Sequence, residues 1–282
     1  MDDLWYSEYH TPSVRFSIKL RQQLHHEQSE FQAISIFDSE EFGRFLSLDG
    51  VIMMTEKDES VYHEMICHVP MAVNPSIKHV LLIGGGDGGA ARELAKYTTI
   101  ETIDVVEIDE RVVSVCKEYL PQTACGFDDP RVKLHFTDGL RYIRSVADRY
   151  DLVIVDSTDP SGPGEVLFTK EFYGNCYQAL RADGIMVNQH ESAFYESDKK
   201  AMQAAHKRIA SVFPLAEVYQ AHIPTYPSGH WLFGFASKGK HPYKDLDTEA
   251  WSKLNIDCQY YNTLLHQGAF YLPTYIRKDL AL

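Results

Sequence analysis

The chain predicts an α/β protein built on a parallel, doubly wound sheet and preceded by a small domain of β-strands. Three observations carry that expectation. From His79 onward the sequence repeats a unit of short apolar run, glycine or acidic turn, and helical pattern, as expected of strands joined by crossover helices. Roughly the first 60 residues are instead rich in β-formers and turn signals. Between the first apolar run of the repeating region and its helix lies Gly84-Gly85-Gly86-Asp87-Gly88-Gly89, a glycine loop of the kind that lets backbone close on a nucleotide-like ligand.

In the β region, Phe31-Gln32-Ala33-Ile34-Ser35-Ile36-Phe37 reads as a strand, and the apolar run 45–54 is interrupted by Asp49-Gly50, a strong hairpin dipeptide. Pro70 and Pro75 punctuate 69–78, where the β region meets the sheet, so two domains are expected, at 1–68 and 69–282. Strand 80–83 then leads to helix 88–96, and strand 103–107 to helix 111–119, which stops at Pro121. Strand 132–136 ends at Asp138-Gly139, and strand 152–155 runs into Asp156. A helix over 168–181 halts at Asp183-Gly184 before a short strand at 185–187. Met202, Ala205, Ile209, Val212 and Phe213 recur at helical spacing, which turns one face of that segment to the sheet. Strands 216–222 and 231–236 close the pattern around Pro224 and Pro227, with His230-Trp231 opening a buried strand.

Composition narrows the function classes. A chain of 282 residues that is 44% hydrophobic can bury a full core, whereas a net charge of −13 disfavours nucleic acid or an anionic membrane as partner and suits a small cationic ligand. The five cysteines are scattered without a Cys-x-x-Cys pair, so no disulfide framework or zinc ribbon is expected and a reducing cytoplasm is the simplest location. The opening Met-Asp-Asp-Leu-Trp does not read as a targeting signal, and no segment approaches the roughly 20 apolar residues of a membrane span.

Ligands of open α/β sheets bind at the carboxyl ends of the strands, and there this sequence is acidic. The first strand delivers Asp87, the second ends at Glu107 and Asp109, the third gives Asp138, and the fourth gives Asp156 and then Asp159. Gly84, Gly86 and Gly89 satisfy a dinucleotide fingerprint, but Asp87 within the loop would repel a pyrophosphate and attract an ammonium or sulfonium. Glu107 stands about 20 residues after the loop, where a carboxylate typically accepts both ribose hydroxyls. The combination points to a cationic nucleoside. Clustered carboxylates need a cation, which could be a metal, a sulfonium donor or a polyamine. No metal is expected: His63-Glu64-Met65-Ile66-Cys67 departs from the zinc-protease pattern at Cys67. Taken singly, Asp138-Gly139 reads as a turn, Asp156-Ser157-Thr158-Asp159 as a helix cap, Tyr62, His63 and Tyr226 as packed side chains, and the charge run 56–59 as a solvated face.

Together the motifs resemble those of the polyamine aminopropyltransferases, specifically spermidine synthase. The resemblance rests on the glycine loop, Val106-Glu107-Ile108-Asp109, Asp138-Gly139, the run Asp156 to Pro163, Pro224-Thr225-Tyr226-Pro227-Ser228-Gly229, Leu48-Asp49-Gly50 and Tyr62-His63-Glu64, and it runs almost end to end. It implies a Rossmann-like, methyltransferase-type catalytic domain. The implied reaction is transfer of an aminopropyl group from decarboxylated S-adenosylmethionine, a co-substrate rather than a cofactor, to putrescine, giving spermidine and methylthioadenosine. By resemblance Asp156 is the base, and Tyr62, His63, Asp87, Ser157, Thr158, Asp159 and Tyr226 contact the polyamine. Asp87 also takes the donor's ammonium, Glu107 the ribose, Asp138 and Gly139 the adenine edge, with Gln32 and Pro163 beside the nucleoside. A homodimer or homotetramer is implied. Met53 stands where many members carry Gln, and Gln189-His190-Glu191 matches no acceptor-pocket residue. Three other functions fit parts of the pattern. A methyltransferase would bring the α-carboxylate of S-adenosylmethionine against Asp87, a polyamine-binding protein would have no use for a base at Asp156, and a dehydrogenase would face the loop charge.

Overall fold

The computed structural model describes residues 4–158 and 162–282, without the side chains of residues 162 and 163. An antiparallel meander of five strands comes first: β1 (Trp5–Thr11), β2 (Val14–Gln28), β3 (Ala33–Ser39), β4 (Gly43–Leu48) and β5 (Val51–Thr55). Asp49-Gly50 closes the last hairpin as expected, pairing Leu48 with Val51. Both turn residues adopt positive φ, 49° and 85°, the backbone that matches the strand twist in a two-residue loop.

A 15-residue helix, α1 (Glu59–Val73), follows and is buried along nearly its whole length. It departs from the sequence reading, because residues 59–68 are helical and the join expected at 69 falls inside the helix. Pro70 lies in the last turn, where a missing N–H forfeits one helical bond without redirecting the chain. Buried polar side chains of α1 tie it to neighbouring segments. Glu64 accepts the backbone N–H groups of Gln259, Tyr260 and Tyr261, and His68 bonds Glu93 and Tyr97.

The second sheet has seven strands. The parallel part comprises β6 (His79–Gly84), β7 (Thr102–Glu107), β8 (Val132–Phe136), β9 (Tyr150–Asp156) and β10 (Leu180–Gln189), while β12 (His230–Ser237) runs antiparallel to both its neighbours, β10 and β11 (Leu215–His222), in the order β11-β12-β10-β9-β6-β7-β8. The sheet is therefore mixed where the repeat of strands and helices had suggested a parallel one. The short, proline-containing connection from β11 to β12 contains no crossover helix, so only a hairpin can join them. Between β6 and β10 lie α2 (Gly89–Ala95), α3 (Glu110–Tyr119), α4 (Pro121–Ala124), α5 (Gly139–Ile143) and α6 (Lys170–Ala179); α7 (Glu196–Ala210) follows β10, and α8 (Thr248–Lys253), α9 (Thr263–Ala269) and α10 (Thr274–Leu280) complete the chain. The expected helix at 168–181 is shorter than predicted because Thr169 caps it, its hydroxyl accepting the Phe172 N–H at 3.1 Å.

Strand alternation sorts the core into two faces. Val80, Leu82, Ile103, Val105, Leu152 and Ile154 pack with α1, α2 and α3, whereas Leu81, Ile83, Val106, Val153 and Val155 pack with α5, α6 and α7. Buried on both sides, these strands read as unbroken apolar runs in the sequence. The parallel neighbours β6 and β9 mark the point where the order of strands across the sheet reverses, and their carboxyl ends open the crevice in which ligands of such sheets bind.

Candidate active site

The glycine loop leaves β6 with Gly84 and Gly85 at φ of 83° and 72°, a backbone that non-glycine residues adopt at a cost. Gly84 is also pressed against β9, since a Cβ there would stand 1.9 Å from the Asp156 carbonyl oxygen. That same carbonyl accepts the Gly85 N–H at 2.9 Å. The close approach of the two strand ends brings Asp87 and Asp156, distant in sequence, to one cavity.

Asp156 is held on one side only. The Tyr62 hydroxyl donates to Oδ1 at 2.6 Å, while Oδ2 is buried without a hydrogen-bond partner among the described residues. Burial pushes the carboxyl up to about 6, and the nearby Asp87 charge adds to the effect. The carboxyl is under-coordinated and easily protonated. Asp87 is arranged in the opposite sense: burial works against its charge, but His63 and the Gly89 N–H, donating at 2.6 Å, outweigh it and keep the carboxyl below its ordinary value. One ionised acid and one easily protonated acid therefore share the crevice.

His63 links Asp87 to a half-buried ion pair. Its Nε2 lies 3.3 Å from Asp87 Oδ1 and its Nδ1 2.6 Å from Glu59 Oε2. Glu59 in turn is gripped by both terminal nitrogens of Arg92, each at 2.9 Å. Although burial disfavours the charged ring, Asp87 and Glu59 raise its pKa well above the ordinary histidine value. Next to it, Tyr62 packs its ring 5.9 Å from that of Tyr226, whose hydroxyl donates to the Met53 carbonyl at 2.5 Å. Two aromatic faces and two carboxylates thus surround one end of the cavity, a setting for an alkyl cation.

At the other end, Glu107 terminates β7, accepts the Asp109 N–H at 2.9 Å and is pushed by burial up to about 7. Gln32 reaches across from the β2–β3 loop and donates to Asp109 Oδ2 at 3.1 Å, so the first domain supplies a wall of the cavity. Asp138 caps α5, its Oδ1 accepting the Arg141 N–H at 2.7 Å. The turn reading of Asp138-Gly139 and the binding reading are compatible, since a capping residue can present its other atoms to a ligand.

Gln32, Tyr62, His63, Asp87, Glu107, Asp138, Gly139, Asp156, Ser157, Thr158 and Tyr226 all line this cavity. Asp159 and the side chain of Pro163 lie outside the described residues. The charge run 56–59 is corrected: Asp58 and Glu59 also line the cavity, and Asp58 is buried, accepting the Thr225 N–H and hydroxyl at 3.1 and 2.8 Å. The run reads as solvated because its charges are adjacent in sequence, but the start of α1 turns the two acids inward. Glu59 and His63 are four residues apart on a helix, a pairing visible from spacing alone; nothing in the sequence points to Arg92. The apolar wall of Ile83, Val112 and Leu167 likewise carried no signal beyond its hydrophobicity. Gln189, His190 and Glu191 are buried and are not among the residues lining the cavity. Among the described residues no group of three or more His, Cys, Asp or Glu is placed to hold a metal ion.

Known proteins share this arrangement from end to end. Residues 59–247 match the profile of the spermine/spermidine synthase domain, and residues 4–56 that of the spermidine synthase tetramerisation domain. The polyamine aminopropyltransferase of Clostridium beijerinckii is 64% identical over 278 residues, covering 99% of this chain and 98% of its own, and that of Alkaliphilus oremlandii is 62% identical with the same coverage. Among solved structures, a spermidine synthase in complex with the transition state analogue AdoDATO superposes with a TM-score of 0.97 at 43% identity, covering 100% of this chain and 96% of that one. The spermidine synthase of Thermotoga maritima gives 0.94 at 42% identity, with coverage of 100% and 95%. Matched over nearly its whole length by these domains and relatives, the chain belongs to the spermine/spermidine synthase family of polyamine aminopropyltransferases.

Proposed function

We propose that the protein transfers the aminopropyl group of decarboxylated S-adenosylmethionine to putrescine, yielding spermidine and methylthioadenosine. The observation that carries this reading is the state of Asp156, half-buried, bonded by Tyr62 on one oxygen and with the other oxygen buried and unpartnered among the described residues, beside an ionised Asp87. An amine nucleophile needs a free lone pair, so a proton must leave the attacking ammonium. Asp156 Oδ2 is the acceptor. As the nitrogen bonds the aminopropyl carbon attached to sulfur, that C–S bond breaks and its electron pair returns to sulfur, leaving a neutral thioether. The sulfonium already activates the carbon, so the protein's main task is alignment.

In this reading Asp87 binds the donor's ammonium, Glu107 the ribose hydroxyls, and Asp138 and Gly139 the adenine edge, with Gln32 completing the nucleoside end. Tyr62, His63, Tyr226, Ser157 and Thr158 surround the polyamine. Asp159 and Pro163 belong to the same proposal on resemblance alone. A methyltransferase reading is disfavoured by Asp87, which would face the carboxylate of ordinary S-adenosylmethionine. We also place the enzyme in the cytoplasm as a homodimer or homotetramer. The tetramerisation profile over 4–56, the exposed Leu4, Trp5 and Tyr9 at the edge of the first sheet, and five free cysteines support that assignment.

The test is incubation with decarboxylated S-adenosylmethionine and a panel of di- and polyamines, with methylthioadenosine and amine products quantified by mass spectrometry. Methylthioadenosine formed together with spermidine, and only when putrescine is present, is the expected result. Turnover with another amine alone would reassign the acceptor; donor binding without product would overturn the assignment.

A further inference from the structure

The chain of charges behind Asp87 does more than line a channel. Arg92 binds both oxygens of Glu59, which keeps Glu59 anionic, and Glu59 Oε2 sits 2.6 Å from His63 Nδ1. An anionic carboxylate at that distance requires a proton on Nδ1, so the ring's protonation is decided at the other nitrogen. Nε2 lies 3.3 Å from Asp87 Oδ1. With Asp87 ionised, a lone pair on Nε2 would oppose the carboxylate, so the ring between Glu59 and Asp87 is an imidazolium. The ring has no freedom to turn away, because it packs directly on Gly89, where a Cβ would come within 2.2 Å of His63 Cε1.

An arriving ammonium changes the sign of that argument. Once a substrate cation neutralises Asp87, the second proton on His63 becomes a repulsive neighbour, and a ring without it offers Nε2 as a further hydrogen-bond acceptor to the same cation. We propose that Glu59, fixed by Arg92, is a positioning residue that makes ligand binding at Asp87 an exchange of cation for proton: the substrate ammonium displaces the Nε2 proton of His63 to solvent. The inference rests on the assignment of Asp87 to a substrate ammonium. The charged and titratable groups facing His63 are Glu59 and Tyr62 from α1, Asp87 from the glycine loop, Arg92 from α2 through Glu59, and Asp156 at the end of β9. Of these, Asp156 also titrates, but its proton does not pass through Glu59.

Calorimetric titration of the full-length protein, repeated at pH 7.5 in buffers of different ionisation enthalpy, counts the protons released on binding. Decarboxylated S-adenosylmethionine should release about one proton more than methylthioadenosine, which has no ammonium. Protons released by Glu107 on meeting the ribose occur with both ligands and cancel. In Glu59→Gln the excess should fall to less than half, with methylthioadenosine affinity retained, because an amide no longer fixes the ring's proton. Should that variant not fold, the imidazole nitrogen NMR shifts of His63 in the unmodified protein decide the matter: doubly protonated when free and singly protonated with donor bound. Tight donor binding with equal proton release for both ligands, or a ring that is neutral before binding, overturns the inference while leaving the proposed function intact. Failure of the donor to bind at all would instead sink the functional assignment.

Discussion

Replacing Tyr62 by Phe removes one atom from the site and should move the pH dependence of the reaction by a calculable amount. The Tyr62 hydroxyl donates to Asp156 Oδ1 at 2.6 Å, with the ring buried and the carboxylate half-buried. A hydrogen bond to a charged group contributes about 1.5 to 3 kcal/mol net, and it favours the ionised carboxylate. One pKa unit corresponds to about 1.4 kcal/mol, so losing the bond should raise Asp156 from about 6 by about 1 to 2 units. The sign follows from the base role: activity needs the ionised form, so it is lost as pH falls through the pKa, and a higher pKa moves that loss toward neutrality. At pH 7 the ionised fraction drops about 2- to 10-fold, and it recovers in alkali. The assay is kcat/KM for putrescine at saturating donor from about pH 6 to 9.5, expressed as the ratio of variant to unmodified enzyme. Titration of the amine and of other groups common to both enzymes cancels in that ratio. A ratio that climbs with pH and levels off supports the reasoning; a uniform loss at every pH would show that Tyr62 only packs, and would refute it.

Asp87→Asn should weaken decarboxylated S-adenosylmethionine by about 10- to 100-fold and methylthioadenosine by less than about threefold, since only the donor presents an ammonium; calorimetric affinities for the two ligands check this. Asp156→Asn should abolish turnover yet stabilise the fold. A buried carboxyl raised to about 6 costs stability once ionised, so the penalty is absent below the unfolded value near 4, grows as pH rises toward 6 and is constant above. The gain at pH 7.5 should be about 1 to 3 kcal/mol, read as a higher calorimetric midpoint that vanishes near pH 4. Gly84→Ala combines a φ of 83° with a Cβ 1.9 Å from the Asp156 carbonyl oxygen, and should cost at least about 3 kcal/mol by urea unfolding.

Much of the site was legible because its chemistry is local. Asp87 places a carboxylate within a glycine loop, Glu107 ends its strand, and Asp138 stands two residues beyond the next. What spacing could not convey is pairing across distance. Tyr62 and Asp156 meet because α1 packs over the end of β9, and Gln32 reaches Asp109 only because the first domain folds over the crevice. Asp58 and Glu59 read as surface charges until α1 turns them inward to Thr225 and Arg92.

The fold divides in the same way. Glycine loop, hairpin dipeptide, apolar strand runs and acidic strand ends are properties of short segments, and from them alone follow an α/β chain with a β-rich N-terminus and an acidic cavity at the strand ends. Helix α1 crossing position 69 and the insertion of β12 between β10 and β11 were decided only by tertiary structure. A proline's effect depends on where in a helix it falls, and strand order depends on which apolar faces find each other. The ionisation of the site belongs to the second category too: Asp87 and Asp156 are the same residue type, and only burial and neighbours drive one below and the other above its ordinary pKa.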